Sequence, residues 1–168
     1  MRAAHALLIP LLALAPALTA CGGSAEPTWA DTAEAMDAGQ MAAAAGDVET
    51  AIAAFQQAAQ DPDPATRAVA LTSLFEVATA NGRLEVAREA LTALQALGPQ
   101  VVTVEALDAL SAAVVATRDA DLVEEFVQVA LEMHPDAQDV FANELSVAEK
   151  LRLEGPDADL SSLGYAGD

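Results

Sequence analysis

Apolar positions in this chain recur at helical spacing over much of its length. Leu122, Phe126, Val129 and Met133 form one stripe at spacings of four, three and four, and Val123, Val127 and Ala130 form a second stripe beside it. Residues three and four apart share one face of an α-helix, so two adjacent stripes predict a helix covered on two sides. A later helix is predicted over Asp136–Glu154, ending at Gly155-Pro156. Ala137, Val140, Phe141, Leu145, Ala148 and Leu151 make its expected buried face, with Asp139, Asn143, Glu149 and Lys150 outward. One apolar stripe backed by charge describes a terminal capping helix. Glu144 falls within that stripe and reads as a stripe-edge carboxylate that reaches water rather than as a ligand contact.

The pattern repeats. Gly46, Gly82 and Arg118 occupy equivalent places, each 36 residues after the last, at the turn of a helix–turn–helix unit closed by a proline. Ala44–Ala58 aligns with Ala80–Leu94 and more loosely with Ala116–Ala130, and prolines follow at Pro62, Pro99 and Pro135. Self-similarity at this period is the signature of stacked helix hairpins that bury their apolar sides against their neighbours. Asp47 and Asp119 are placed to cap helix starts, and Gly98-Pro99 is a stop. Small residues at Gly39, Ala51, Ala58, Ala78 and Ala87 allow close helix crossing, with Phe55, Leu91 and Leu94 filling the grooves between.

These residues resemble the tetratricopeptide repeat. The third unit departs from it, with Arg118 where glycine is expected and Val123 where alanine is expected. The resemblance covers about Asp31 to Pro135. It implies an all-α fold, a right-handed superhelix of about three antiparallel helix hairpins plus a C-terminal capping helix, with residues 31–154 as the repeat domain. Residues 155–168 read as a mobile acidic tail, small, polar and glycine-bearing, in which Leu160–Tyr165 is a candidate docking motif.

The start of the chain follows a different rule. Arg2 precedes a charge-free run from Ala6 to Ala20 that contains Pro10 and Pro16, too short for a membrane span of roughly 20 residues. A basic start, a short apolar middle and small residues before a break are the marks of a secretory signal peptide, here residues 1–20. The break reads Leu18-Thr19-Ala20-Cys21, which resembles the lipobox of bacterial lipoproteins. The resemblance implies cleavage before Cys21 and acylation of that residue. Cys21 is the sole cysteine, so no internal disulfide competes for it. Two or three acyl chains, at about 0.8 kcal/mol per buried methylene, anchor stably where one does not. Gly22 rather than aspartate follows the cysteine, which by the same resemblance favours the outer membrane, facing the periplasm. Residues 21–30 then form the lipidated end and a flexible tether. Gly22–Thr28 reaches at most about 25 Å, which keeps the folded part near the bilayer. Trp29 either covers the open apolar edge of the first repeat, the favoured reading, or touches the membrane interface or a partner.

Composition narrows function mainly by exclusion. The 168 residues carry 26 acidic and 7 basic side chains, a formal charge of −19. That charge repels phosphate, so no nucleic-acid partner is expected. Past Cys21 the only histidine is His134, at a helix end where a cation-capable residue suits the dipole. No nucleophile–base set, phosphate-cradling loop or metal-ligand spacing is legible, so neither an enzyme nor a cofactor is expected. Asp157, Asp159, Ser161 and Asp168 approach a calcium-loop spacing, but Ser162 stands where the loop requires glycine.

What remains is a surface. The first helices of the units place Met36, Gln40, Ala43, Thr72, Glu76, Thr79, Asp108, Ala112 and Val115 on the face that the resemblance makes concave. No cation is among them, so a clamp for a peptide carboxylate is not expected. An apolar face with scattered acids suits a basic or amphipathic segment of another envelope protein. The expected function is a membrane-anchored periplasmic interaction scaffold, with the membrane engaged through the lipid alone. The alternative is a carrier or accessory subunit binding a small molecule or an envelope enzyme.

Overall fold

The computed structural model describes residues 27–165. The signal-peptide reading of residues 1–20 and the acylation of Cys21 lie outside the described residues. Within them the fold is all-α: α1 (Thr32–Ala45), α2 (Val48–Ala58), α3 (Pro64–Ala80), α4 (Leu84–Leu97), α5 (Val104–Ala116), α6 (Ala120–Met133) and α7 (Ala142–Glu154). Two short 3-10 turns, Pro135–Ala137 and Ser161–Leu163, complete the elements.

Local chemistry sets most of the helix boundaries. Asp31, Asp47, Asp63, Thr103 and Asp119 each accept a backbone N–H from the first turn of the following helix, which satisfies donors that have no partner within the helix. The N–H of Thr66, and then its hydroxyl, hold the Asp63 carboxyl below the ordinary carboxylate range. Pro64 opens α3 at a position where its missing N–H costs nothing.

The turns at Gly46, Gly82 and Arg118 all adopt the left-handed backbone, at φ 77°, 66° and 56°. Arg118 is the only non-glycine residue among those described with positive φ. A side chain there costs about 1–2 kcal/mol.

Helix α1 packs on α2, α2 on α3, and α3 on α4; α3 also meets α5, α4 meets α6, and α7 rests on α6 and α5. The first two hairpins run in close backbone contact. Ala51, Ala58, Ala78 and Ala87 are completely buried at their crossings. Gly39 belongs to the same set: a Cβ there would come within 2.6 Å of the Phe55 ring, which is itself buried. Helices α5 and α6 touch at fewer places, and buried Val123 stands where Ala51 and Ala87 let backbones approach. Aromatic rings fill the wider space. Phe75 and Phe126 lie 6.0 Å apart, and Phe126 meets Phe141 edge-on at 6.1 Å.

The few cations join neighbouring units. Arg83 of the α3–α4 hairpin pairs with Glu49 of α2, Arg88 of α4 with Asp119 and Glu125, and Arg152 of α7 with Asp121 and Glu124 of α6. Each exposed pair is worth about 0–1 kcal/mol, so they fix register more than they stabilise.

Two expectations need correction. The last helix starts at Ala142, not Asp136, because Pro135 begins a single 3-10 turn and the chain stays irregular through Phe141. Its buried stripe is therefore Glu144, Val147, Ala148 and Leu151. Val140 and Leu145, expected inside, are 43% and 39% exposed. The segment after α7 is also not a free tail as far as Tyr165. Ala158 and Leu160 are buried in the main core, and Leu163 and Tyr165 pack against it. A segment without helix-forming sequence docks because two apolar side chains find an uncovered part of the stack.

Candidate interaction surface

The nine residues expected to line one face divide in the structure. Thr79 and Val115 are 5% and 3% exposed and so offer nothing to a partner. The Thr79 hydroxyl donates to the Phe75 and Glu76 carbonyls of its own helix, and Val115 belongs to the core. Met36 is half-buried and packs on a small satellite cluster of Ala35, Ala58 and Ala70. Gln40 and Ala43 are exposed on α1, a helix whose close packing is with α2. Half-buried Thr72 and exposed Glu76 lie on α3, which packs beside α5 with its exposed Asp108 and Ala112. Four of the nine thus lie on α3 and α5, two helices that pack on each other (the α3–α5 layer), and α5 in turn meets α7.

The far end of this layer is occupied by the chain itself. The Tyr165 hydroxyl donates to Oε1 of Glu144 at 2.5 Å. Glu144 is 3% exposed, and its Oε2 has no hydrogen-bond partner among the described residues. The reading of Glu144 as a carboxylate reaching water therefore fails; the start of α7 at Ala142 turns it inward. Burial, followed by the bond to Glu144, raises the Tyr165 hydroxyl above its ordinary pKa. The Arg118 guanidinium donates to the Ala158 carbonyl at 2.6 Å and to that of Pro156 at 3.4 Å. The residue that departs from glycine at the third turn is thus the one that holds the C-terminal segment.

Sequence reasoning missed this docking. The available signals were Leu160 and Tyr165 within an otherwise polar stretch and the unexplained Arg118. Trp29 follows the favoured reading, since it packs on the satellite cluster at the edge of the first hairpin. Its backbone N–H donates to Gln57 Oε1, and the Gln57 amide returns a bond to the Trp29 carbonyl.

His134 bonds the Val102 carbonyl through Nε2 at 2.8 Å, tying the end of α6 to the loop before α5. Among the described residues no three His, Cys, Asp or Glu side chains cluster in a way that would hold a metal ion. Among them, too, no helix is long and apolar enough to cross a membrane. The chain matches no protein-family model, no curated protein and no solved structure.

Proposed function

We propose that this protein is a non-enzymatic interaction scaffold, tethered to the bacterial outer membrane through lipid on Cys21 and facing the periplasm. The single observation that carries the scaffold reading is the α3–α5 layer. Thr72, Glu76, Asp108 and Ala112 lie there, half-buried or exposed, on rigid neighbouring helices with no cation among them. An acidic, partly apolar helical face favours a basic or amphipathic partner segment by charge and by helix packing. The tether reading rests on the Leu18-Thr19-Ala20-Cys21 sequence after a short apolar run. A tether of a few residues holds such a face near the membrane, which raises its effective concentration toward other envelope proteins.

Two measurements test this. Metabolic labelling with an alkyne fatty acid should mark the wild-type chain and not Cys21→Ser, and an unacylated mature amino terminus would overturn the anchor. Photo-crosslinkers placed at Glu76 and Ala112 in intact cells should capture a basic envelope protein. Capture of acidic proteins only, equally from a crosslinker at exposed Val69, would overturn the scaffold.

A further inference from the structure

Helix α7 differs from the helices before it in what lies beside it. Helices α2, α4 and α6 begin 36 residues apart, and α6 packs on both α4 and its own hairpin partner α5. The same position one unit further on, across α6 and α7, receives no helix among the described residues. Gly155-Pro156 ends α7, and the following segment is held by Arg118 at the α5–α6 turn and by Glu144 of α7.

Two shallow depressions that share Glu124 and Leu145 lie along this uncovered strip, one between half-buried Leu131 of α6 and Leu145 of α7 over buried Val127, the other between Leu145 and Leu153 over buried Ala148. Leu153 is 77% exposed and Leu145 39%, the two large apolar side chains that α7 leaves in water. Glu124, Glu132 and Glu149 stand along the edges. The one cation at this groove, Arg152, is already engaged by Asp121 and Glu124.

We infer that this groove receives one amphipathic helix of a partner protein, about three turns long, with aliphatic side chains on one face and lysine or arginine along both flanks. Two observations select that occupant. The slot has the register of a missing second helix, so it presents two ridged helices for a third to pack between. Glu132 and Glu149 at its edges form no ion pair among the described residues, while Glu124 is matched by Arg152, so flanking positive charge is favoured and negative charge is opposed. A second copy of this chain fits poorly for the same reason, because each molecule carries a formal charge of −19. The inference deepens the scaffold reading and rests on it for its biological role. It concerns a different surface from the α3–α5 layer and does not depend on the lipid.

The test uses the full-length chain in detergent and a fluorescent helical peptide of about 14 residues. The peptide carries leucines at helical spacing and flanking lysines, and a control replaces every lysine by glutamate. Anisotropy should report binding of the lysine peptide, weakened about tenfold or more by Leu145→Glu with Leu153→Glu. Val69→Glu, also exposed but on α3, should leave it unchanged. Both altered leucines are exposed, and circular dichroism checks that the fold persists. The inference is overturned if the lysine peptide does not bind, or if it binds the double variant as well as the parent, which means diffuse attraction to an acidic surface. Equal binding of the glutamate peptide overturns it as well. So does a dimer in light scattering that Leu153→Glu abolishes, since a second copy then fills the groove. Binding that survives Cys21→Ser while lipid labelling is lost separates this inference from the anchor.

Discussion

The first two hairpins and the C-terminal end of the stack solve the same packing problem with different residues. In α1–α4 the helices cross over glycine and alanine, with Gly39 against the Phe55 ring and Ala51, Ala58, Ala78 and Ala87 fully buried. Their tight turns use glycine, which adopts the left-handed backbone at no steric cost. At the C-terminal end Val123 replaces alanine, α5 and α6 touch at fewer places, and Phe126 packs between Phe141 and Phe75 of α3. The turn there uses Arg118 in the same strained backbone, and its guanidinium grips the segment that follows α7. Looser packing at this end leaves room for added pieces, and the docked segment around Leu160 is one of them.

The sharpest way to break the comparison is to remove the central ring of the wider end. Phe126→Ala should cost about 3–5 kcal/mol and lower Tm by roughly 10 °C in a calorimetric scan, since no alanine-sized crossing exists there to collapse onto. Gly39→Ala tests the other end by overfilling it. The added methyl should cost about 1–3 kcal/mol in urea titration, because the Phe55 ring has no free space to move into. A neutral result would mean that α1 and α2 can part without penalty.

The turns give a smaller and more specific contrast. Gly82→Ala should cost about 1–2 kcal/mol through backbone strain alone. Arg118→Gly should leave global Tm nearly unchanged, as relief of a similar strain offsets the lost grip on Ala158 and Pro156. Its signature should instead be faster amide hydrogen exchange over residues 160–165. Unchanged exchange there would mean that Arg118 does not hold the segment.

The smallest effect is in pH. Tyr165 is the only tyrosine, so the ultraviolet absorbance of its phenolate reads one group. Its pKa is raised in the folded state by burial and by Glu144. The folded protein therefore holds the phenolic proton more tightly than the unfolded chain, and stability is lost as pH rises above the ordinary value of 10.0. The docked segment should loosen first at alkaline pH, and absorbance should titrate above 10.0; titration at the ordinary value would mean an undocked Tyr165.

The helices themselves were legible in the sequence because their causes are local. Aspartates three residues before a free N–H, glycines at fixed period and apolar residues three and four apart act within one or two turns of chain. The crossings at Gly39 and Ala51 were legible for a related reason, since a periodic small residue signals close approach without naming its neighbour. The candidate surface was less so. Thr79 and Val115 occupy the right helix positions for an exposed face, yet the rotation of each helix in the stack turns them inward.

By itself the sequence determined an all-α chain of repeating helix pairs, its caps and turns, and its strong negative charge. Tertiary structure decided that Glu144 is buried and that Leu160 and Tyr165 dock. It also decided which leucines of α7 remain in water. The physical reason is range. Helix formation is governed by neighbours a few residues apart, whereas burial depends on which surfaces remain uncovered once other elements are in place. For Leu160 and for Leu145 that meant surfaces of earlier helices, well beyond the reach of local sequence.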